Sequence, residues 1–302
     1  MNRRRRAIAL IVGYALVATL SAMPAAAFSL AGGTSLCEPH EEAIELEGRG
    51  AKLREKDLNQ VHVDLPASAK GRAKPGFTAT VPVYFHVITD GASGNVTSSQ
   101  INAQIAVLDD TFGGGEGGAD TGFSFDLAGV TRTDNATWFA SASGGAEAAM
   151  KQTLRQGGND ALNVYSTSGG AYLGWAYLPS ITDTNKSYLD GIVLDWETIP
   201  GVSTTYAGRY DLGETLTHEA GHWFNLEHTF FGGCNAKGDF VDDTPPQKTP
   251  TSGCPIGKDT CRAPGVDPIH NYMDYSYDTC YTEFTDGQTQ RMRDAWLFYR
   301  AA

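Results

Sequence analysis

The chain has 302 residues and is 41% hydrophobic, which predicts a globular protein with one large core or two modest ones and excludes a fibrous protein. Residues 1–75 carry 11 Lys and Arg against 8 Asp and Glu, whereas residues 76–302 carry 12 against 27. So acidic a main body repels phosphate backbones, which argues against nucleic-acid binding and favours cation binding or simple solubility.

The N-terminus has the three-part layout of a secretory signal peptide. Four arginines at positions 3–6 precede an apolar stretch from residue 7 to about residue 20, and three alanines follow at positions 25–27. The apolar stretch is short for a membrane span. We therefore predict a signal peptide over residues 1–27, a secreted mature protein and no stable membrane anchor.

Residues 28–75 are rich in charge and alanine and contain few large apolar side chains, so they cannot bury much core alone. We interpret them as a prosegment, with a flexible linker as the alternative. Their basic closing stretch, Lys70 to Lys74, has the composition of an exposed, protease-sensitive segment. Cleavage near Lys74 would leave a mature domain over residues 76–302.

The pattern changes at residue 78, where strand and helix signatures begin to alternate. A β-branched and aromatic run over residues 81–88 predicts a buried strand, and apolar residues near helical spacing follow at 101–108. Further strands are predicted at 123–130, 161–165, 173–178 and 191–196, with a second helix at 146–155. Five strands and two helices in one sheet indicate an α/β fold.

His218 and His222 lie four residues apart, which on a helix places both imidazoles on one face, roughly 5–6 Å apart along the axis. Asp211 and Glu214 precede them with the chemistry of a helix start. Glu219 directly follows His218, so its carboxylate can lie beside a metal and accept a proton from water. Two ordinary core or surface histidines are the alternative.

A third histidine, His228, favours a metal site over two ordinary histidines, provided that the helix ends before it. A continued helix would carry His228 about 9 Å beyond His222, out of reach of the same metal. Asn225 is the natural breaking point, since asparagine tolerates the left-handed conformation that ends helices. Three histidines and one water make an open, catalytic zinc site, unlike the closed four-ligand sites that support structure.

The run from His218 to His228 resembles the metzincin motif His-Glu-x-x-His-x-x-Gly-x-x-His, with Asn225 in place of the glycine. Residues 271–275 resemble the Met-turn of that family, with Met273 as its methionine; a methionine in an ordinary core loop is the alternative. The resemblance implies a metzincin-like zincin: a five-stranded mixed sheet, an active-site helix and a C-terminal subdomain with the Met-turn. It also implies that Tyr275 lies beside the metal and stabilises the oxyanion.

Among metzincins, the chain is most similar to the pappalysin (cytophagalysin) family and its small secreted bacterial and fungal members. The similarity covers roughly residues 78–300 and includes the stretches 190–193, 228–234, 238–245 and 275–288. It implies a secreted zinc-dependent metalloendopeptidase, made as a zymogen, with an upper subdomain over about 76–228 and a lower one over 229–302. The strand at 173–178 resembles the edge strand to which an extended protein or peptide substrate adds.

Four of the five cysteines lie close together in sequence, and export predicts that they pair, although three pairings are possible. The family resemblance implies two disulfides, Cys234 to Cys261 and Cys254 to Cys280. The fifth, Cys37, matches a prosegment cysteine whose thiolate caps zinc before activation. The residues after Cys37 depart from the family's pattern, so an incidental thiol is an equal alternative.

Hard oxygen ligands cluster in the acidic turn after the zinc motif, and the family resemblance implies structural calcium. The candidate calcium residues are Asp239, Asp242, Asp243 and Thr244. A solvated loop is an equal alternative. Two rival functions also remain: a secreted metal-binding or adhesion domain without catalysis, and a zinc hydrolase of a non-protein amide.

Overall fold

The structure is a computed structural model, and it describes residues 53–55, 58, 60, 62–141, 143–202, 204–235 and 237–301. The predicted signal peptide and Cys37 lie outside these residues. Within them, no helix is both long and apolar enough to cross a membrane.

A six-stranded mixed sheet forms the centre of the fold. Its strands are β1 (Leu53–Glu55), β2 (Ala79–Thr89), β3 (Phe123–Asp134), β4 (Leu162–Thr167), β5 (Tyr172–Ala176) and β6 (Ile192–Asp195). They lie in the order β1-β5-β6-β4-β2-β3, and β5 is antiparallel to β6 while the other pairs are parallel. The five predicted strands are therefore present, and β1 adds a sixth strand from the predicted prosegment.

In the described part of the chain, five α-helices accompany the sheet: α1 (Ser98–Phe112), α2 (Ala136–Ser141), α3 (Gly144–Leu154), α4 (Glu214–Trp223) and α5 (Asp286–Ala295). α1 and α5 each begin with a capping box, in which a threonine and a glutamine three residues later satisfy exposed backbone N–H groups. The sequence interpretation did not include α2 and α5. α2 is too short for a helical period, and α5 has few apolar residues to mark one.

Both faces of the sheet are covered, which explains why β2 is apolar at nearly every position. Val83 and Phe85 point into the main core, where α1 and α4 pack through Leu108 and Leu216. Ile88 points to the opposite face and packs in a second core with α3. The sheet thus holds α4 against one face, with β5 beside it, and β5 is not the predicted edge strand here because β1 pairs with its outer side.

Beyond α4, the described residues between 224 and 285 contain no α-helix or β-strand longer than a single bridge. Disulfides between Cys234 and Cys261 and between Cys254 and Cys280 cross-link this stretch, each with Cα atoms 5.5 Å apart. These are the pairings that the family resemblance implied. The cross-links compensate for the lack of regular structure around the predicted Met-turn.

Candidate metal centre

Helix α4 carries the first two histidines in an environment from which solvent is largely excluded, since all ten of its residues are buried. The residue that precedes the helix is Gly213, with a left-handed φ of 101°. The predicted helix start at Asp211 was wrong, because the Asp211 carboxylate instead accepts a hydrogen bond from the Gly208 backbone. Nε2 of His218 and Nε2 of His222 lie 3.2 Å apart.

The chain reverses directly after α4, as predicted, and Asn225 makes the turn with a φ of 80°. Backbone N–H groups of Asn225 and Leu226 donate to the carbonyl oxygens of His222 and Gly221, at 2.8 and 2.9 Å, and so close the helix end. This reversal brings Nε2 of His228 to 3.1 Å from Nε2 of His222.

Hydrogen bonds determine which nitrogen of two imidazoles carries the proton. Nδ1 of His218 lies 2.6 Å from the Tyr272 carbonyl oxygen, and Nδ1 of His222 lies 2.8 Å from that of Leu226. Because a carbonyl oxygen only accepts, each Nδ1 is the donor, and in the neutral ring Nε2 then presents a lone pair.

Facing lone pairs at this distance repel one another unless a cation lies between them. Ligand nitrogens of a tetrahedral zinc ion, at about 2.0–2.1 Å from the metal, are separated by roughly 3.3 Å. The spacing of the three Nε2 atoms, together with the burial and tautomers of His218 and His222, therefore fits a zinc ion.

Glu219 lies beside the histidines and is 1% exposed. Strand β5 makes room for it at Gly174, where a side-chain Cβ would lie 3.0 Å from both Cγ and Oε1 of Glu219. A small cavity opens in front of the carboxylate and is lined by Leu173, Thr215, His218, Glu219 and Tyr275. A carboxylate, an imidazole and a phenol ring thus share one space next to β5.

Met273 lies fully buried beneath the histidines, in the turn that the sequence interpretation identified. It packs so closely on α4 that a Cβ at Gly221 would overlap its sulfur. The Met273 carbonyl accepts from the Thr229 backbone at 3.2 Å, which ties the Met273 turn to the turn that follows His228. The sequence interpretation missed Gly221, although its position within the motif could have indicated a close contact.

Tyr275 is half-buried and stands against two of the three histidines. Its ring centroid lies 4.9 Å from that of His228 and 5.7 Å from that of His218, and Phe230 supports it from the other side at 4.9 Å. These contacts hold the ring at the cavity, where its hydroxyl can hydrogen-bond to a bound group.

Two arginines from the C-terminal end of the chain hold the far end of α4 and its turn. Arg291 Nε donates to the Asn225 carbonyl at 2.8 Å. Arg300 donates twice to the Trp223 carbonyl, at 2.9 and 3.1 Å, and pairs with Asp190 at 3.1 Å. Sequence reasoning missed both, because their partners are 66 or more residues away and no local motif marks them.

Burial raises the pKa of Glu214, the first residue of α4. Desolvation, together with the nearby carboxylates of Glu116 and Asp278, raises the pKa of Glu214 to about 9. Glu214 is therefore mainly protonated at neutral pH, which limits the negative charge that is buried behind the histidines.

The four candidate calcium residues do not form one cluster of carboxylates. Asp239 is buried and accepts hydrogen bonds from Thr244, and its burial raises its pKa to about 7. Asp243 instead accepts from Thr285 and Gly287 at the start of α5, and Asp242 is exposed. Calcium binding at this turn stays a prediction.

Comparisons with known proteins agree with this geometry. Residues 202–296 match the Peptidase_M43 family model, described as pregnancy-associated plasma protein-A. The chain is 44% identical to an extracellular metalloprotease of Colletotrichum graminicola, over 96% of this chain and 99% of the relative. It is 43% identical to another from Neurospora crassa, over 93% and 96%.

Among solved structures, the chain resembles mature mirolysin of Tannerella forsythia in complex with a cleaved peptide. That similarity has a TM-score of 0.62 and 30% identity, over 72% of this chain and 92% of mirolysin. A promirolysin mutant from the same organism gives a TM-score of 0.64 and 28% identity, over 74% and 81%.

Proposed function

The chain belongs to the pappalysin (M43) family of metallopeptidases, and from this premise we propose that it is a secreted, zinc-dependent endopeptidase made as a zymogen. The observation that carries the proposal is the convergence of three Nε2 atoms next to the buried Glu219. The relatives named above are called extracellular metalloproteases, which supports secretion and peptide hydrolysis.

Each residue of the site has a role in the proposed hydrolysis. His218, His222 and His228 hold the metal, and zinc bound there supplies Lewis-acid polarisation of a peptide carbonyl and a lower pKa for water. Glu219 takes the proton from the attacking water and passes it to the leaving amine. The Tyr275 hydroxyl donates a hydrogen bond to the oxyanion of the tetrahedral intermediate.

Strand β5, which would become the edge of the sheet once β1 leaves, gives the site its proposed substrate class. An extended peptide that added to β5 would run past the cavity lined by Leu173 and Glu219. Main-chain hydrogen bonds to a strand do not depend on side chains, so this mode of binding suits protein substrates in general.

The proposal that the protein is made as an inactive zymogen is supported by the segment that pairs with β5. β1, from the predicted prosegment, pairs in parallel with β5, with Leu53 opposite Tyr172 and Glu55 opposite Gly174. Gln60 continues the contact, since its side chain accepts from the Leu178 backbone at 2.6 Å and donates to the Ala176 carbonyl at 3.2 Å. A substrate strand cannot pair with the same backbone until this segment leaves.

A pair of variants tests the proposal. Glu219→Ala removes the proton acceptor but no ligand, so we expect one zinc per chain and a loss of casein hydrolysis of about 10³-fold or more after activation. His228→Ala removes a ligand, and we expect it to lose both zinc and activity. Zinc content is measured by atomic absorption, and hydrolysis by release of labelled peptides with and without a chelator.

Casein hydrolysis by Glu219→Ala at the wild-type rate would overturn the assignment of the base. A wild-type protein that binds zinc but cleaves neither casein nor gelatin would instead favour a binding domain or a hydrolase of another amide.

A further inference from the structure

Residues 62–75, the end of the predicted prosegment, pack against α5 and the residues that follow it. Leu65 and Ala69 are buried in a small cluster with Ala295. Asp64 accepts from Arg291 Nη1 at 2.8 Å. This segment therefore has a defined position on the catalytic domain.

Asp294, in the last turn of α5, is the buried acceptor for the backbone of this segment, and it is only 3% exposed. Its Oδ2 accepts from the Gly71 backbone N–H at 2.7 Å, and its Oδ1 accepts from that of Ala73 at 2.8 Å. Gln290 Nε2 adds a third hydrogen bond at 3.0 Å.

No cationic side chain of the described residues pairs with this carboxylate. The basic residues of the segment are used elsewhere: Lys70 pairs with Asp64, and Lys74 donates to the Gly71 carbonyl at 2.8 Å. A buried carboxylate held only by neutral donors has a desolvation cost that a cation at the same place would offset.

Cleavage of the chain would create that cation. Hydrolysis of the Arg72–Ala73 bond adds one water, leaves a carboxylate on Arg72 and converts the Ala73 backbone N–H into an α-ammonium. We propose that Arg72–Ala73 is the bond cut when the zymogen matures, and that Asp294 is the preformed acceptor for the new Ala73 N-terminus. This inference rests on the proposed zymogen function.

The backbone N–H groups of both Gly71 and Ala73 bind Asp294, but only Ala73 is buried, which favours the Arg72–Ala73 bond over the Lys70–Gly71 bond. Arg72 is exposed, with its guanidinium 5.8 Å from the Phe298 ring, so a protease that selects basic residues can reach it. Ala73 is 7% exposed, and its carbonyl accepts from Gln290 at 3.4 Å, so Ala73 stays in place after the cut.

Maturation at this bond would release the contacts that hold the prosegment over the site. His62 and Asp64 would leave Glu227 and Arg291, their partners at 2.7 and 2.8 Å. The new ion pair at Asp294 would keep the Ala73 end of the chain bound to α5, the helix whose Arg291 also donates to the Asn225 carbonyl.

The cut is tested by mapping the new N-terminus. The full-length proprotein with Glu219→Ala is treated with trypsin, so that the added protease is the only active one, and the stable fragment is sequenced. We expect it to begin at Ala73, and Arg72→Gln should abolish this product. A stable fragment that begins elsewhere, for example at Gly71 or Pro75, would overturn the choice of bond.

The ammonium acceptor is tested with Asp294→Asn in the same background, with Asp259→Asn as an exposed control. We expect Asp294→Asn to lower the Tm of the processed protein by roughly 5–10 °C, and that of the unprocessed protein by clearly less. The control should change neither. Equal losses in both forms would show that Asp294 serves only the backbone N–H groups.

Acylation of the N-terminus gives a second readout that does not depend on the folding of an Asp294 variant. A new ammonium bound by Asp294 should react with an N-hydroxysuccinimide ester at least tenfold more slowly in the processed native protein than after denaturation. Equal rates would overturn the proposal. All three measurements use protein without Glu219, so they can succeed even if the proposed peptidase activity fails, and the casein assay can succeed even if they fail.

Discussion

At the scale of single residues, the site depends on one backbone conformation. Asn225 turns the chain in the left-handed region, and without that turn His228 would lie about 9 Å beyond His222. Asparagine tolerates this conformation better than any residue except glycine, so the departure from the family's glycine is physically conservative.

Replacement of Asn225 by a residue with a branched Cβ should weaken zinc binding. Asn225→Val places a β-branched residue at a φ of 80°, which costs about 1–2 kcal/mol or more in the bound geometry, so we expect a zinc Kd at least tenfold higher. Competition with a fluorescent chelator measures the Kd. Asn225→Gly is the matched control and should bind zinc within about threefold of wild type; equal Kd values for Val and Gly would contradict this role for the turn.

Gly221 provides a second test, because a Cβ there would overlap the Met273 sulfur. In an exposed helix Gly→Ala stabilises by about 1 kcal/mol, but here overpacking should reverse the sign and cost about 1–3 kcal/mol. Urea unfolding measures the difference. Gly145→Ala in α3, where a Cβ has nothing within 4 Å, is the control and should be neutral or stabilising. A stabilised Gly221→Ala protein would mean that Met273 does not pack as described.

At the scale of elements, α4 is positioned from both ends and from distant parts of the chain. Gly213 starts it in a left-handed conformation, and Arg300 satisfies the Trp223 carbonyl at its end. The guanidinium also stacks 3.4 Å above the Trp223 ring, which adds a cation–π contact to the hydrogen bonds.

Removal of Arg300 should therefore destabilise the protein strongly. Arg300→Met keeps the apolar stem but leaves the Asp190 carboxylate, which is 1% exposed, without its closest cation, so we expect a loss of about 3–5 kcal/mol in the free energy of unfolding. The double variant Asp190→Asn with Arg300→Met should recover part of that loss. Denaturant titration gives both values, and a loss below about 1 kcal/mol would contradict the argument.

At the scale of the whole molecule, regular secondary structure stabilises one part of the chain and disulfides stabilise another. The sheet and its helices stabilise the half that carries β5 and α4, whereas the described residues between 224 and 285 rely on turns and two disulfides. Met273 and Tyr275 lie in the second half, so the geometry of the site depends on those cross-links.

Removal of one disulfide should lower the stability of the protein, because it increases the conformational entropy of the unfolded chain. The cysteines of the Cys234–Cys261 pair are 27 residues apart in sequence, and closure of a loop of that length is worth about 3–4 kcal/mol in the chain-entropy model. We expect the double serine variant at this pair to lose that much stability by urea titration. A double variant with unchanged stability would show that the unfolded state is restrained in another way.

The sequence predicted local secondary structure well, but it predicted contacts between distant residues poorly. The five predicted strands follow from runs of β-branched and aromatic residues, and the bend at Asn225 follows from helix geometry and residue type. β1 was not predicted, because a three-residue strand has too short a pattern and exists only through its pairing with β5. The pairing of the four cysteines came from the family resemblance, since spacing alone allows three solutions.

The chemistry of the site was determined by the sequence itself: three histidines at offsets that can meet after a broken helix, a glutamate beside the first and a methionine turn downstream. Only the tertiary structure decided how these groups are held. The tautomers of His218 and His222, the space for Glu219 against Gly174 and the two arginines from the C-terminal end all depend on contacts between residues far apart in the chain. Short-range patterns reflect backbone geometry, whereas such contacts exist only once the whole chain has packed.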